Sequence, residues 1–288
     1  MSYQFRESAP YLFPPLARWL GSSRIDLEEC GSTNDEAARM ARGGASHGTI
    51  VIAETQRAGR GRDGRAWASP RGRGLYLSAV LRPLLPLADV PPMTLAIGIG
   101  VCDSIRATGA PAFLKWPNDV LVREGGELRK VAGVLVESQS QGGRLESVIV
   151  GIGANLGAFE AGELPPDVNA RATSLEAAVG TPIDREAFIA TLLAQVEHWV
   201  DHYSAVGLED VVPAWTQRMA PGLLVRAIVD RAPVEGEMVG LAEDGAVMIR
   251  DAEGAIHRVR SGDVELERAS SDARRPPSGA GEQSEQSG

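Results

Sequence analysis

The sequence predicts an α+β fold that ends in a small β-barrel of SH3-like size, and three observations predict it. Runs rich in β-branched and apolar residues at 49–55, 75–82, 130–138 and 144–153 read as strands, interspersed with helical patterns. A long segment after Asp184 carries Phe188, Leu192, Val196, Trp199 and Tyr203 as one apolar stripe at helical spacing. After Pro221-Gly222 the texture changes to short strands punctuated by Gly, Asp and Pro: LLVRAIV, GEMVGLAED, GAVMIRD, AIHRVR and DVELER.

Each element has its local reason. Residues 1–24 contain proline and set Leu12, Leu16, Trp19 and Leu20 on an amphipathic turn or helix that leads into a first strand at 25–29, IDLEE. Thr33 and Glu36 have capping-box spacing, and Ala37, Ala38, Met40 and Ala41 follow as helix formers. Residues 56–74 are rich in Gly and Arg and show no apolar periodicity. Residues 93–107 suit a buried helix, and AFLKW (112–116) and DVLV (119–122) read as strands broken by Pro117-Asn118. The runs 130–138 and 144–153 form a hairpin across Gly142-Gly143, and Asp184 caps the long helix. Residues 269–288 lack large apolar side chains and are expected to be disordered. The chain thus divides into a lead-in (1–24), a main domain (25–219), a small β domain (220–268) and a tail (269–288).

Composition narrows the function. With 288 residues, 43% apolar and 23% charged, the chain is an ordinary globular sequence able to bury a core. The longest apolar stretch, 90–102, is interrupted by Pro91 and Pro92 and is shorter than the roughly 18 residues of a membrane span. The first residues show no basic region followed by an apolar run, so a cytoplasmic protein that avoids membranes is expected. Two cysteines, Cys30 and Cys102, make neither a disulfide framework nor a multi-thiolate metal site. A net charge of −9 argues against binding a long polyanion. Six arginines and Asp63 nevertheless concentrate +5 between positions 57 and 73, leaving −14 on the rest, which suggests a local anionic ligand. Of 29 basic residues only Lys115 and Lys130 are lysines. Each is a chance survivor in an Arg-biased chain, or marks a place where a compact ammonium is needed and a planar fork will not fit.

The candidate sites follow from these strings. The 56–74 segment reads either as a mobile Arg-Gly tract or as a phosphate-wrapping loop. Its position between two strong strands fixes both ends, and glycine permits close backbone approach while Arg forks match phosphate or carboxylate. In KWPND (115–119), Trp116-Pro117 makes a stiff corner that leaves Lys115, Asn118 and Asp119 at a sheet rim. Asp119 is a candidate Mg²⁺ ligand, against the plainer reading of a turn with an Asx cap. Lys130 reads as a solvated strand end or a functional cation. GIGANLG (151–157) departs from the dinucleotide fingerprint at Leu156, and no P-loop string occurs. His198 and His202 stand at i, i+4 but in HWVDH, without a third zinc ligand.

Taken in order, Ser32-Thr33-Asn34, the Gln56–Trp67 Arg-Gly loop, Lys115–Asp119, Arg129–Gly133 and Gly151–Asn155 resemble the biotin protein ligases, over a span from about Ile25 to Arg268. The resemblance implies a mixed β-sheet catalytic domain with packed helices, related to class II synthetases and lipoate ligases, followed by an SH3-like domain. It implies two steps: biotin and MgATP form biotinoyl-5′-AMP, and the acyl group then passes to a lysine of a biotin carboxyl carrier protein. Ser32, Thr33, Asn34 and Gln56 would meet the ureido ring, which suits hydroxyl and amide partners. Gly59, Arg60, Gly61 and Arg62 would fold over biotin and the adenylate, with Gly133 beside them. Arg62 and Arg65 would neutralise phosphate, Trp67 would wall the adenine, and Lys115, Asn118 and Asn155 would serve the nucleotide. Lys130 would bridge the biotin carboxylate and the α-phosphate, and Asp119 would serve Mg²⁺.

Three departures and three rivals accompany that reading. Asp63 sets an acid among the arginines, and Ala154 and Leu156 are conservative in a purine-facing wall. Only 24 residues precede Ile25, too few for the winged-helix module of bifunctional members, so a ligase that does not bind DNA is expected; a homodimer is left open. A lipoate or octanoate ligase would want a more apolar head pocket. A non-catalytic biotin-sensing regulator would not need Lys130, and an RNA-binding protein would not suit the −14 remainder.

Overall fold

The computed structural model describes residues 16–229, 232–260, 262 and 264–266; Leu12 and the expected tail at 269–288 lie outside them. Seven strands, β1 (Ser23–Leu27), β2 (Thr49–Ala53), β3 (Gly74–Leu81), β4 (Ala112–Lys115), β5 (Asp119–Glu124), β6 (Glu127–Gln141) and β7 (Arg144–Asn155), form one sheet in the order β1-β2-β3-β7-β6-β5-β4. Only β1 and β2 run parallel, so the sheet is mixed, as expected. The helices are α1 (Thr33–Arg42), α2 (Val90–Arg106), α3 (Pro166–Asn169), α4 (Leu175–Val179), α5 (Arg185–Val206) and α6 (Val211–Thr216). A second, antiparallel sheet follows, made of β8 (Leu224–Val229), β9 (Ala232–Leu241), β10 (Val247–Arg250), β11 (Ile256–Val259) and β12 (Val264–Leu266) in the order β11-β10-β9-β8-β12. Among the described residues no helix is long and apolar enough to cross a membrane.

Strand alternation sends each strand's side chains to two different places. Ile50, Ile52, Leu75, Leu77, Val150 and Ile152 join one large core with α2 and α5. Val51, Val80 and Ile149 point the other way and meet Ala37 and Ala41 of α1. At ten residues α1 is about 15 Å long, too short to cover that face, and the rest of the face is left for a site.

Buried polar contacts tie the layers together. Arg218 Nε and Nη2 donate to the Asp103 carboxylate at 2.7 and 2.9 Å, and Trp199 Nε1 donates to the same group at 3.3 Å. This joins α2, α5 and the chain leaving α6. The Arg218 carbonyl then accepts from Leu114 N at 2.8 Å, extending the hold to β4. Trp116, in the strand-end corner, is buried and donates from Nε1 to the Gly245 carbonyl at 3.0 Å, which docks a turn of the second sheet on the first.

Several boundaries differ from expectation for identifiable reasons. The buried helix begins at Val90 and places Pro91 and Pro92 in its first turn, where a missing N–H leaves nothing unsatisfied. Ser32, not Thr33, is the N-cap of α1, and no side chain caps it, so the capping-box reading is corrected. The first strand runs over Ser23–Leu27 rather than 25–29. The described part of the lead-in, 16–22, forms turns and no helix, because its backbone is held by a side chain. Glu197 of α5, itself buried, accepts from the backbone N–H of Arg18, Trp19 and Leu20 at 2.8, 2.7 and 2.8 Å.

Burial alone would push the Glu197 carboxyl up, but the three backbone N–H groups and Arg18 outweigh it and hold it below the usual carboxylate range. Glu197→Gln is therefore expected to lower stability at neutral pH by about 1–3 kcal/mol, read by denaturant unfolding. A depressed folded-state pKa contributes stability that is fully present above the usual carboxylate range and lost on acidification through the lower value. The gap between the two proteins should accordingly be full at pH 7 and narrow as the pH falls below the carboxylate range.

Candidate active site

The open face of the sheet is floored by glycines. Gly151 and Gly153 alternate on β7, and Gly133 stands opposite Gly153 on β6. An added Cβ would lie 2.3 Å from Asn34 Oδ1 at Gly151 and 2.5 Å from the Trp67 indole at Gly153. At Gly133 it would meet Trp67 at 3.2 Å and Lys130 at 3.3 Å. All three therefore point toward α1 and the Arg-Gly loop. Ser78 of β3 faces Gly151, and Asp119 of β5 faces Gly133. From Ser78 to Asp119 is three strand spacings, roughly 14 Å, taken on a diagonal two residues out of register; Gly151, Gly153 and Gly133 line this strip, and Leu135 stands beside Gly151 at its edge.

A polar cluster closes one end of the strip. Gln56 Oε1 accepts from Thr33 N at 2.8 Å and from the Thr33 hydroxyl at 3.1 Å, and Gln56 Nε2 donates to Ser69 Oγ at 2.9 Å. The Ser78 hydroxyl donates to Asn34 Oδ1 at 2.5 Å and lies 2.8 Å from the Thr33 hydroxyl. Asn34 Nδ2 continues to Glu137 at 2.6 Å. Ser32, Thr33 and Asn34 are all buried. Gly59 brings the loop backbone onto this cluster: a Cβ there would sit 2.6 Å from the Trp67 carbonyl and 3.0 Å from Gln56 Nε2. Gly61 has no such constraint, its nearest neighbour being 3.6 Å away.

The other end carries both lysines of the chain. Lys130 Nζ is 2.5 Å from Asp119 Oδ1, and Lys115 Nζ is 3.2 Å from Oδ2. Burial works to push the Asp119 carboxyl up, but the two ammonium groups overcome it and hold it below the usual range. Lys130 also lies 5.1 Å from the Trp67 ring centre. Trp67 Nε1, beside Gly153, and Arg62 Nη1, in the loop that carries Trp67, are buried with no hydrogen-bond partner among the described residues, a state that costs free energy until something accepts from them. These two donors, unlike the other polar atoms around them, point to a bound acceptor.

The structure separates the loop arginines that composition treated alike. Arg57, Arg60, Arg71 and Arg73 pair with Glu29, Asp35, Glu28 and Glu163 at 3.2, 2.7, 2.7 and 3.1 Å. Much of the local positive charge is thus neutralised by the chain itself, which leaves less of it for a local anionic ligand than composition alone suggests. Asp63 sits in the left-handed region (φ 54°), which Asp tolerates, within the tight turn Arg62–Gly64, and Gly61 N closes that turn on the Arg65 carbonyl at 2.7 Å. The amide nitrogens of two expected nucleotide residues serve the backbone: Asn118 Nδ2 donates to Val134 O and Asn155 Nδ2 to Thr173 O, both at 2.8 Å. Asp119 does not fit its expected role as a Mg²⁺ ligand, since each of its oxygens faces an ammonium. Among the described residues no group of three or more His, Cys, Asp or Glu is arranged for a metal.

Ser78, Glu137, Asp35 and Ser69 were not singled out from the sequence. Ser78 leaves a trace, as the lone small polar residue inside the apolar run LYLSAVL. The alternate glycines of GIGANLG miss the dinucleotide fingerprint, and their spacing of two clears one face of a strand instead.

Comparison with known proteins bears on this geometry. Residues 31–155 match the Biotin/lipoate A/B protein ligase family, and residues 225–267 match the Biotin protein ligase C terminal domain. The bifunctional ligase/repressor BirA of Bacillus subtilis (strain 168) is 33% identical over 249 residues, which are 86% of this chain and 75% of that protein. The biotin–[acetyl-CoA-carboxylase] ligase of Paracoccus denitrificans is 33% identical over 238 residues, 79% of this chain and 94% of that protein. The solved structure of the biotin protein ligase from Aquifex aeolicus in complex with biotin and ATP matches with a TM-score of 0.70 at 32% identity, over 86% of this chain and 100% of that one.

Two outcomes follow from the geometry alone. Gly151→Ala should drive Asn34 off Ser78 and cost about 1–3 kcal/mol in an unfolding measurement, the range for disrupting a buried polar contact. The Arg60–Asp35 pair is partly exposed, so Asp35→Ala should change global stability by less than about 1 kcal/mol. It should nevertheless speed tryptic cleavage at Arg60, Arg62 and Arg65 several-fold, because the loop loses a tether to α1.

Proposed function

The chain belongs to the biotin protein ligase family, and on that premise we propose how its own residues join biotin to ATP and then to protein. It is an ATP-dependent ligase that attaches biotin to protein. The observation that carries the residue assignment is the strip without side chains, with hydrogen-bonding groups at one end and a lysine pair at the other. Such a trough suits an extended molecule with a polar head, an apolar middle and an anionic end.

The ureido ring of biotin has N–H donors and a carbonyl acceptor, and Ser32, Thr33, Asn34, Gln56 and Ser78 supply hydroxyl and amide partners for both. A lipoate head offers no such match, so this polar cluster disfavours a lipoate ligase. The valeryl chain lies along the glycine strip in the place the Trp67 indole takes over Gly153, so the indole must swing aside, and the chain brings the carboxylate to Lys130. There a carboxylate oxygen attacks the α-phosphorus of ATP, the bond from that phosphorus to the β-phosphate bridging oxygen breaks, and pyrophosphate leaves. Two anions must approach each other, and the Lys130 ammonium lowers that barrier by lying between them, with Arg62 Nη1 as a second donor. Arg65 and Lys115 add positive charge for the nucleotide phosphates. In the second step the amine of a lysine on a biotin carboxyl carrier protein attacks the acyl carbon, AMP leaves, and an amide bond forms.

The decisive measurement is biotin-dependent exchange of labelled pyrophosphate into ATP, with lipoate and octanoate as controls. Exchange with biotin alone is expected; exchange with lipoate in place of biotin would overturn the substrate assignment. Lys130→Ala should slow biotinoyl-5′-AMP formation roughly 30- to 5,000-fold, the effect of about 2–5 kcal/mol from one lost partner in a charged contact that the substrates close off from water. Lys130→Arg should rescue poorly, because a planar fork replaces a point charge. Changes below about twofold in both variants would reduce Lys130 to a solvated strand end.

A further inference from the structure

The two lysines of this chain do not act as separate cations. They converge from different strands on a single carboxylate, Lys130 from β6 at 2.5 Å and Lys115 from β4 at 3.2 Å. The side chains of Asp119 and Lys115 are 16% and 10% exposed, so neither is a surface ion pair of negligible worth, while Lys130 at 33% keeps one side open toward the glycine strip. The backbone sets up the convergence. Lys115 and Asp119 oppose each other across the β4–β5 hairpin. On the other side, the register between β5 and β6 slips between Val120 and Leu121, so that Lys130 stands opposite Leu121 and not where a regular ladder would place it. The irregularity re-aims Lys130 toward Asp119.

We infer that Asp119 is a positioning residue for adenylation: its carboxylate bridges Lys115 and Lys130 and holds the Lys130 ammonium at the end of the glycine strip, and it does not hold the magnesium ion. This rests on the proposed function, and in particular on the contact of Lys130 with the two reacting anions. A carboxylate with one ammonium on each oxygen is a poor cation ligand. A Mg²⁺ ion at its required ~2.1 Å would have to enter between two positive charges or expel them. A Mg²⁺ ion that enters with ATP is instead held by phosphate oxygens and water. The bridged triad carries a net charge of +1, so the site stays attractive to anions while its lysines stay ordered. A long, rotatable lysine side chain left without Asp119 would sample many rotamers, and a misplacement of about 1 Å at such a contact is enough to cost a hundredfold in rate.

The test uses the full chain and exploits its having only two lysines. First, the labelling rates of Lys115 and Lys130 by an amine-reactive acylating reagent are measured by mass spectrometry without substrates. Asp119→Asn should raise the rate at Lys130 at least about threefold, since the ion pair that restrains it is gone. An unchanged rate would refute the bridge, whatever the substrate of the enzyme proves to be. Second, pyrophosphate exchange is followed against Mg²⁺ concentration and in a double-mutant cycle. Asp119→Asn should lower kcat roughly 10- to 100-fold while the Mg²⁺ concentration for half-maximal rate moves less than about twofold. In a Lys130→Ala background the same substitution should cost less than about twofold more, because Asp119 acts through Lys130. A tenfold rise in the Mg²⁺ requirement, with activity restored by excess Mg²⁺, or losses that multiply in the double mutant, would overturn the inference. Circular dichroism checks folding, and if Asp119→Asn does not fold, Asp119→Glu carries the kinetic and Mg²⁺ readouts. With Asp119→Glu the charge is kept but the carboxylate is displaced by one methylene, so kcat should still fall and the Mg²⁺ requirement should still hold.

Discussion

A flat ligand can lie on a β-sheet only where the strands beneath it carry no side chains, and that constraint organises this molecule. Gly151, Gly153 and Gly133 clear one strip of the open face, and even a methyl group at the first two would collide with Asn34 or Trp67 at 2.5 Å or less. The remaining features are arranged around the strip. The short helix α1 covers one flank and delivers Thr33 and Asn34, the Arg-Gly loop forms the roof, and the β4–β5 corner delivers Lys115 and Asp119. The opposite face of the same strands is sealed by α2 and α5, so the floor of the site is also the roof of the core.

Electrostatics divides the site into parts with different work. Most loop arginines are matched by carboxylates from the two residues that follow β1, from α1 and from the 156–165 segment, which fixes the course of the loop and removes charge that would otherwise attract any polyanion. Two donors, Arg62 Nη1 and Trp67 Nε1, are left buried without acceptors. A charge-rich loop that is mostly self-neutralised, with two buried donors left unsatisfied among the described residues, favours one small anionic ligand over a nucleic acid. This is how an acidic protein with a strongly basic segment can still be selective.

The small C-terminal sheet is joined to this machinery through the corner that follows Lys115. Trp116 is buried and donates to Gly245, and a Cβ on Gly245 would come within 2.8 Å of Leu95 on α2, so the turn of the second sheet fits closely into the first. The buried Asp103–Arg218 pair anchors the segment between the two sheets to α2 and, through Trp199, to α5. These contacts give the residues on either side of Trp116 a rigid frame, which a contact between two charged substrates demands.

Much of this was legible in the sequence. Strand runs, the stripe of α5 and the change of texture after Gly222 follow from periodicity, which is local and survives in one dimension. The order of the short motifs carried the resemblance that the comparisons with known proteins support. Other matters were decided by the tertiary structure. Thr33 looked like the start of a capping box, yet its hydroxyl is used by Gln56 and Ser78, because a side chain's partner depends on what packs over it. Asp119 looked like a metal ligand, yet two lysines from flanking strands occupy it. Six arginines looked alike, yet distant carboxylates claim four of them. Sequence by itself determined which segments become strands and helices and which face each residue takes, because those depend on neighbours one to four positions away. Which charges meet was decided only when β4, β5 and β6 were brought side by side, since Coulomb contacts act over a few ångströms of space and are blind to separation along the chain.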